Sequence, residues 1–180
     1  MREITTPSQT VGPFFHIGLE RIAVNDLTAH LTTAKRITIS GRVLDGDGKP
    51  VIDALVELWQ ADADGRYDGN GKFKGHGRVA TDNEGAFSFT TIKPGQVPGA
   101  NATMQAPHVA VNLFMRGLLK HLVTRMYFPD EPSNVEDAVL NSVPAERRRT
   151  LIANGRDGNA LALIWDIALQ GKSETVFFDC

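Results

Sequence analysis

Short segments in which apolar and polar residues alternate recur along most of this chain, and they constrain its fold more than any other feature. Ile37, Ile39 and Val43 alternate with polar neighbours, and a second such segment runs from Ala54 to Trp59. Alternation at every second residue indicates a strand with one buried face. Further segments of this kind begin near Phe87, Val109, Leu122 and Leu161. Short strands separated by Gly- and Pro-rich turns predict a mainly β protein with the architecture of a β-sandwich.

Two short helices are expected to interrupt the strand pattern. Ser133 and Glu136 have the spacing of a capping box, which predicts a helix that runs toward Leu140. Pro144 suits the first turn of a second helix, which we expect to end near Asn154.

The beginning of the chain differs from the rest. It combines Pro, Thr and Gly with an apolar cluster from Val11 to Ile17, and regular patterning starts only at Arg36. No internal repeat and no linker divides the chain after that point. We therefore expect an N-terminal arm over residues 1–35 and one sandwich domain over residues 36–180.

Charge and composition exclude several classes of protein. The chain has 180 residues and a formal net charge of -2, which gives no electrostatic reason to expect nucleic acid as a partner. No apolar run approaches the length of a membrane span, and the N-terminus lacks the apolar core of a signal peptide. The single cysteine, Cys180, permits no intrachain disulfide, which fits a reducing compartment. We predict a cytoplasmic protein.

The inventory of reactive side chains reveals no self-sufficient catalytic site. The chain has five histidines, and no two of them are spaced for a zinc-binding helix. One cysteine cannot build a Cys-rich zinc site, and the Gly-x-Ser-x-Gly motif of serine hydrolases is absent. We therefore predict no catalytic residue and no metal site made by this chain alone.

One long stretch, from Ile39 to Tyr67, reads ISGRVLDGDGKPVIDALVELWQADADGRY. Later pieces follow in order: Gly77-Arg78, the Pro94-Gly95 loop, Ala106-Pro107-His108 and Thr124-Arg125-Met126-Tyr127-Phe128. Together these pieces closely resemble the intradiol ring-cleaving dioxygenases. The resemblance spans most of the chain. It implies a Greek-key β-sandwich and chemistry of ferric iron on catechols.

The resemblance also implies four positions for iron ligands, two tyrosines and two histidines. Tyr67 matches one tyrosine position and His108 matches one histidine position. Val97 and Ala110 stand at the other two, and Gln105 stands where the family has an arginine. We interpret Tyr67 and His108 as vestigial ligand positions and predict that this chain binds no metal.

This pattern of loss resembles the α chains of heteromeric members of the family, in which only the β chain holds Fe(III). The arm from Thr6 to Phe14 and the segments Leu113–Gly117 and Gly171–Asp179 fit that type. The implied partner is an iron-bearing β subunit, on which the arm packs. The implied substrates are 3,4-dihydroxybenzoate and O2, and the product is 3-carboxy-cis,cis-muconate. Such a reaction belongs to aromatic catabolism through the β-ketoadipate pathway.

The resemblance further implies that this chain contacts the substrate. Arg116 would bind the ring carboxylate, since a guanidinium offers planar, charge-assisted recognition of that group. Thr10, Gly12 and Pro13 of the arm would line the pocket, with Gly12 allowing close backbone approach and Pro13 stiffening the arm. Two alternatives stay open: a homo-oligomeric dioxygenase with an unusual metal site, and a non-enzymatic β-sandwich binding module.

Overall fold

A computed structural model describes residues 5–67, 73–156 and 159–179, and Cys180 lies outside these ranges. The strands are β1 (Arg36–Leu44), β2 (Leu55–Trp59), β3 (His76–Ala80), β4 (Ala86–Ile92), β5 (Val97–Pro98), β6 (Met104–Gln105), β7 (His108–Phe114), β8 (Leu122–Tyr127), β9 (Asn154–Arg156), β10 (Asn159–Ile164) and β11 (Ile167–Ala168). The α-helices are α1 (Pro13–Leu19), α2 (Ala138–Ser142) and α3 (Ala145–Arg148), and short 3-10 helices cover Glu20–Ile22, Ala100–Ala102, Pro132–Glu136 and Arg149–Leu151.

The first sheet is five-stranded and is built around β1. One edge of β1 pairs antiparallel with β4, and the other edge pairs parallel with β10 and then with β11. Strand β9 joins antiparallel to β10. Gly41 lies where β1 passes the end of β10, and a Cβ atom there would overlap with the carbonyl oxygen of Trp165. Only glycine allows that close approach.

The second sheet has four antiparallel strands in the order β3-β2-β7-β8, and a separate hairpin pairs β5 with β6. The main core lies between the two sheets. Exposed and buried residues alternate along β1, as the sequence pattern predicts. The core includes Ile39, Val43, Phe89, Val56, Leu58, Val109, Val111, Met126 and Trp165. This arrangement confirms the predicted β-sandwich.

A second, smaller apolar cluster attaches the short helices to the second sheet. Its buried members are Ala106, Tyr127, Leu140, Val143 and Leu151. Among the residues that the structure describes, no helix is long and apolar enough to cross a membrane.

The arm is more regular than its composition indicates, because α1 forms within it. Its later part packs on this chain's own sheets: Val24 makes a β-bridge with Arg78, and Asp26 makes one with Thr90. Leu27 is buried beside them. The packing of the arm on a partner, and the boundary at residue 35, stay predictions.

Both helix predictions need correction. The segment after Ser133 forms a 3-10 turn that stops at Glu136, and α2 begins anew because the Asp137 carboxylate accepts from the Leu140 backbone N–H at 2.8 Å. The second predicted helix ends at Arg148 as an α-helix. A 3-10 helix over Arg149–Leu151 follows it, and Asn154 is not the end of a helix but the first residue of strand β9.

Candidate functional site

The predicted functional residues fall into two groups at opposite ends of β7. His108 is the first residue of this strand, and Arg116 follows its last residue, Phe114, by two positions. Seven residues of strand span about 20 Å between the first and last Cα atoms. The predicted vestigial ligand positions and the predicted substrate contacts therefore do not form one site within this chain.

The register between β2, β7 and β8 decides which side chains lie beside His108 at its end of the second sheet. Trp59 of β2 pairs with Ala110 of β7, and Ala110 pairs in turn with Arg125 of β8. His108 pairs with Tyr127 of β8. Paired residues, and residues two apart on one strand, point to the same side of a sheet. These five side chains therefore share the outer face of the second sheet, away from the main core.

Tyr67 reaches the same face through the loop after β2. The Asp62 carboxylate accepts backbone hydrogen bonds at 2.9 Å within this loop and makes it a compact turn. Gly65 has a φ of 79° and lies so close to the carbonyl of Gln96 that a Cβ atom would overlap with it. The Tyr67 ring then stacks on Trp59, with 5.8 Å between centroids and 5° between planes.

We call the four matched positions, Tyr67, Val97, His108 and Ala110, the remnant site. The Nδ1 atom of His108 lies 2.8 Å from the carbonyl oxygen of Ala106, which can only accept, so Nδ1 donates and Nε2 keeps its lone pair. Burial lowers the pKa of His108, and the ring is therefore neutral at pH 7. Burial raises the pKa of Tyr67, which keeps the phenol protonated.

The hairpin of β5 and β6 carries the Val97 position of the remnant site. Val97 and Gln105 pair across it, and the buried Val97 side chain offers no donor atom. Gln105 Oε1 accepts from Arg125 Nη1 at 2.6 Å, and Gln105 Nε2 donates to the Pro98 carbonyl at 3.1 Å. Both ends of this amide are therefore engaged.

Arg125 brings a permanent positive charge into the remnant site. It pairs in register with Ala110 and hydrogen-bonds to Gln105. Its guanidinium also acts on both surviving ligand positions: it opposes the rise that burial causes in the pKa of Tyr67, and it adds to the fall that burial causes in the pKa of His108. The charge therefore lies within electrostatic reach of each.

The remnant site does not fit ferric iron. Tyr67 and His108 can each offer one donor atom, whereas Val97 and Ala110 offer none. The nearby Arg125 charge repels a metal cation. Within the described residues, no three His, Cys, Asp or Glu side chains cluster in a way that could hold a metal ion.

At the opposite end of β7, Arg116 lies in the turn that leads to β8. Its guanidinium pairs with Asp53 Oδ2 at 2.7 Å, and the Arg116 side chain is 57% exposed. Since a guanidinium has five N–H donors, this pairing leaves donors for a second carboxylate. Asp53 itself has a φ of 59° in the turn before β2.

The structure places the arm beside Arg116. The backbone N–H of Gly117 donates to Thr10 Oγ1 at 2.7 Å, which ties the arm to the residue next to Arg116. Gly12 is exposed, and Pro13 is the first residue of α1, a position that suits proline. Thr10 and Arg116 are thus brought to one region, and the contacts of all four residues with a substrate stay predictions.

Sequence reasoning does not identify Arg125 or Asp53. Arg125 belongs to a matched segment, but only the pairing of β7 with β8 shows that it lies opposite Ala110. Asp53 lies within the matched stretch from Ile39 to Tyr67, but its positive φ, which is uncommon outside glycine, is visible only in the backbone.

Comparison with known proteins adds independent findings. A family model described as dioxygenase matches residues 12–171. The protocatechuate 3,4-dioxygenase alpha chain of Pseudomonas putida is 42% identical, over 97% of this chain and 96% of that one. The protocatechuate 3,4-dioxygenase beta chain of Burkholderia cepacia is 40% identical, over 78% of this chain and 67% of its own length. The solved dioxygenase domain of a carbohydrate-binding fusion protein from Streptomyces sp. SirexAA-E is 30% identical, with a TM-score of 0.66, over 86% of this chain and 89% of that one.

Proposed function

The chain belongs to the dioxygenase family, and from this premise we propose that it is the α subunit of a protocatechuate 3,4-dioxygenase. Intradiol dioxygenases use Fe(III). In the proposed heteromer the β subunit holds this iron and the present chain holds none. A match to an alpha chain over nearly the full length, arm included, supports the assignment.

The observation that carries the proposal is the separation of the two groups of residues along β7. The remnant site lacks two donor atoms and contains the Arg125 cation. Arg116, by contrast, is largely exposed at the other end of the strand, with the arm tied beside it at Gly117. A substrate-binding arginine so far from its own chain's remnant site is suited to complete a pocket on another chain.

The proposed reaction cleaves the ring of 3,4-dihydroxybenzoate between the two hydroxyl-bearing carbons. Both oxygen atoms of O2 enter the product, one on each of these carbons, and 3-carboxy-cis,cis-muconate results without a further reductant. The β subunit's ferric iron supplies the activation of the catechol toward O2. This chain binds and orients: Arg116 holds the ring carboxylate, and Thr10, Gly12 and Pro13 wall the pocket.

We also propose that the arm, residues 1–35, packs on the β subunit, while residues 36–180 form the sandwich domain. On α1 the Phe14 side chain is 85% exposed and that of Ile17 is 56% exposed. Neighbouring apolar side chains that face solvent typically mark a protein-binding surface. The single cysteine supports a cytoplasmic location.

Co-expression of the full chain with the β subunit tests the proposal. We expect a stable complex that contains iron in proportion to β and cleaves 3,4-dihydroxybenzoate, and we expect the chain expressed alone to contain no iron. Stoichiometric iron and ring cleavage by the chain alone would instead support a homo-oligomeric dioxygenase. Failure to form a complex, with turnover by β unaffected by this chain, would support a binding module.

A further inference from the structure

We propose that the Arg125 guanidinium takes the place of a metal cation in the remnant site, where it joins strand β7 to the hairpin of β5 and β6 and excludes metal ions. This inference goes beyond the proposed function. It depends on the family's ligand positions and not on the substrate.

The first observation is the cross-strand pairing of Arg125. Arg125 on β8 lies directly opposite Ala110 on β7, the position of the missing histidine. Directly paired residues have Cβ atoms about 5 Å apart. A histidine at that position would therefore face the guanidinium at close range, and the two groups would compete for the same space above the sheet.

The second observation is the bond between Arg125 and the hairpin. Gln105 accepts from Arg125 at 2.6 Å and pairs across the hairpin with Val97, the position of the missing tyrosine. The guanidinium therefore links strand β7, through the register, to the hairpin of β5 and β6. A metal bound by the four positions would join these two elements as well, together with the loop that carries Tyr67.

The third observation is the kind of partner that Arg125 has. Within the described residues, it takes part in no ion pair, and its side-chain partners are neutral: the Gln105 amide, which accepts from it, and the Tyr127 hydroxyl, which itself donates to Asp137. Gln105 therefore receives a hydrogen bond from a positively charged group on β8. A guanidinium is always charged and has fixed geometry, as a bound cation does, but it donates hydrogen bonds where a metal accepts lone pairs.

Restoring the ligands tests the exclusion of metal. The double variant Val97→Tyr/Ala110→His is compared with two triple variants that add Arg125→Gln, which removes the charge, or Arg125→Lys, which keeps it. Each full-length variant is incubated with ferric citrate and desalted. Bound iron is then measured by mass spectrometry, together with the visible absorption of iron-bound tyrosinate.

We expect the Arg125→Gln triple variant to retain at least ten times more iron than the double variant or the Arg125→Lys triple variant. Equal iron in all three would overturn the proposal. An Arg125→Gln triple variant that folds, judged by circular dichroism and thermal melting, and yet retains no iron would also overturn it.

If the variants that contain Val97→Tyr do not fold, a variant with only one restored ligand still tests whether Arg125 excludes metal ions. Ala110→His alone adds one imidazole beside His108, and Zn2+ is then the probe, in competition with a chromophoric chelator. Adding Arg125→Gln should tighten Zn2+ binding at least tenfold, and adding Arg125→Lys should not. The same Zn2+ affinity with and without the Arg125 charge would overturn the proposal.

The linking role has its own readout. In the otherwise unchanged chain, Arg125→Gln should lower the Tm by several degrees. Arg156→Gln, a change at an exposed arginine in β9, is the control and should leave it nearly unchanged. An equal Tm for both variants would show that Arg125 does not hold these elements together.

Discussion

The hydroxyl oxygen of Thr10 accepts a hydrogen bond from the backbone N–H of Gly117 at 2.7 Å, across 107 positions of sequence. This bond joins the arm to the turn that carries Arg116. The Phe15 and Phe114 rings lie 5.4 Å apart and add an apolar contact between the same two segments. We therefore expect the order of the arm and the position of the Arg116 side chain to be coupled.

Removing the Thr10 hydroxyl should weaken substrate binding. A single hydrogen bond contributes about 0.5–1.5 kcal/mol, so Thr10→Val should raise the KM of the complex with β by about two- to tenfold. Thr10→Ser keeps the hydroxyl and should retain the original KM. Steady-state kinetics on 3,4-dihydroxybenzoate measures this, and equal KM values for Val and Ser would argue against the coupling.

Arg116→Ala should impair recognition of the substrate carboxylate. Hydrogen bonds to charged groups contribute about 1.5–3 kcal/mol, which corresponds to a rise in KM of roughly 10- to 100-fold. Because catechol lacks the carboxylate, the preference for 3,4-dihydroxybenzoate over catechol should narrow by the same factor. Arg42→Ala, which removes an exposed arginine paired with Asp166 at 3.6 Å, is the matched control. An unchanged substrate preference in Arg116→Ala would show that this side chain does not face the pocket.

Asp53 should act through Arg116, by holding one edge of the guanidinium. Asp53→Asn removes the charge while keeping a residue type that tolerates positive φ. The pair is only partly buried, and such a pair contributes less than about 1 kcal/mol, so the Tm should change little. We expect a severalfold rise in KM with kcat unchanged. A large fall in Tm would instead indicate that Asp53 is mainly structural.

The exposed apolar face of α1 should contribute to assembly with the β subunit. Burying a Phe side chain contributes about 1.5–3 kcal/mol, so Phe14→Ser should weaken the α–β affinity by roughly 10- to 100-fold. Val135→Ser is the matched control, because Val135 is 77% exposed on the distant 3-10 turn. Native mass spectrometry measures how far the complexes of the Phe14→Ser and Val135→Ser variants dissociate on dilution. Equal dissociation of the two would show that Phe14 of the arm does not contribute to the interface.

Glu131, at the start of the 3-10 turn over Pro132–Glu136, should make the unfolding free energy depend on pH. Burial alone would raise the pKa of Glu131, but hydrogen bonds from Ser133 and Lys93 outweigh it and lower the pKa. A carboxyl group with a lowered pKa in the folded state contributes stability above its unfolded pKa, and that contribution is lost as the pH falls through the folded value. The unfolding free energy of wild type should therefore be larger than that of Glu131→Gln at neutral pH. This difference between the two proteins, the gap, should close in acid.

Urea unfolding at neutral pH and at a pH well below the ordinary range of a Glu carboxyl measures this difference. Ser133→Ala removes a hydrogen-bond donor to Glu131 but keeps the carboxyl group. At the higher pH, its unfolding free energy should therefore fall below that of wild type by less than the unfolding free energy of Glu131→Gln does. A gap that stays constant with pH would mean that the charge of Glu131 is unimportant for stability.

The strands were predictable because alternation is a local property. Ile37, Ile39 and Val43 are buried at 4%, 3% and 0% exposure, as their period indicates. The prediction of one helix from Ser133 was wrong, because the Asp137 carboxylate binds groups that are distant in sequence and the helix is interrupted there. Its carboxylate accepts from the Ala106 backbone at 2.8 Å and from the Tyr127 hydroxyl at 3.0 Å. Such bonds override a local capping signal.

The amino-acid sequence by itself determined the sandwich, the family, and the absence of donor atoms at Val97 and Ala110, because residue type and spacing are sufficient for each. Only the tertiary structure decided that Arg125 lies opposite Ala110 and that Thr10 meets the turn of Arg116. Both relationships depend on which strands pair and in what register, and a slip of one residue would turn Arg125 to the other face. The register is set by burial of the whole core, so it cannot be read from any one segment.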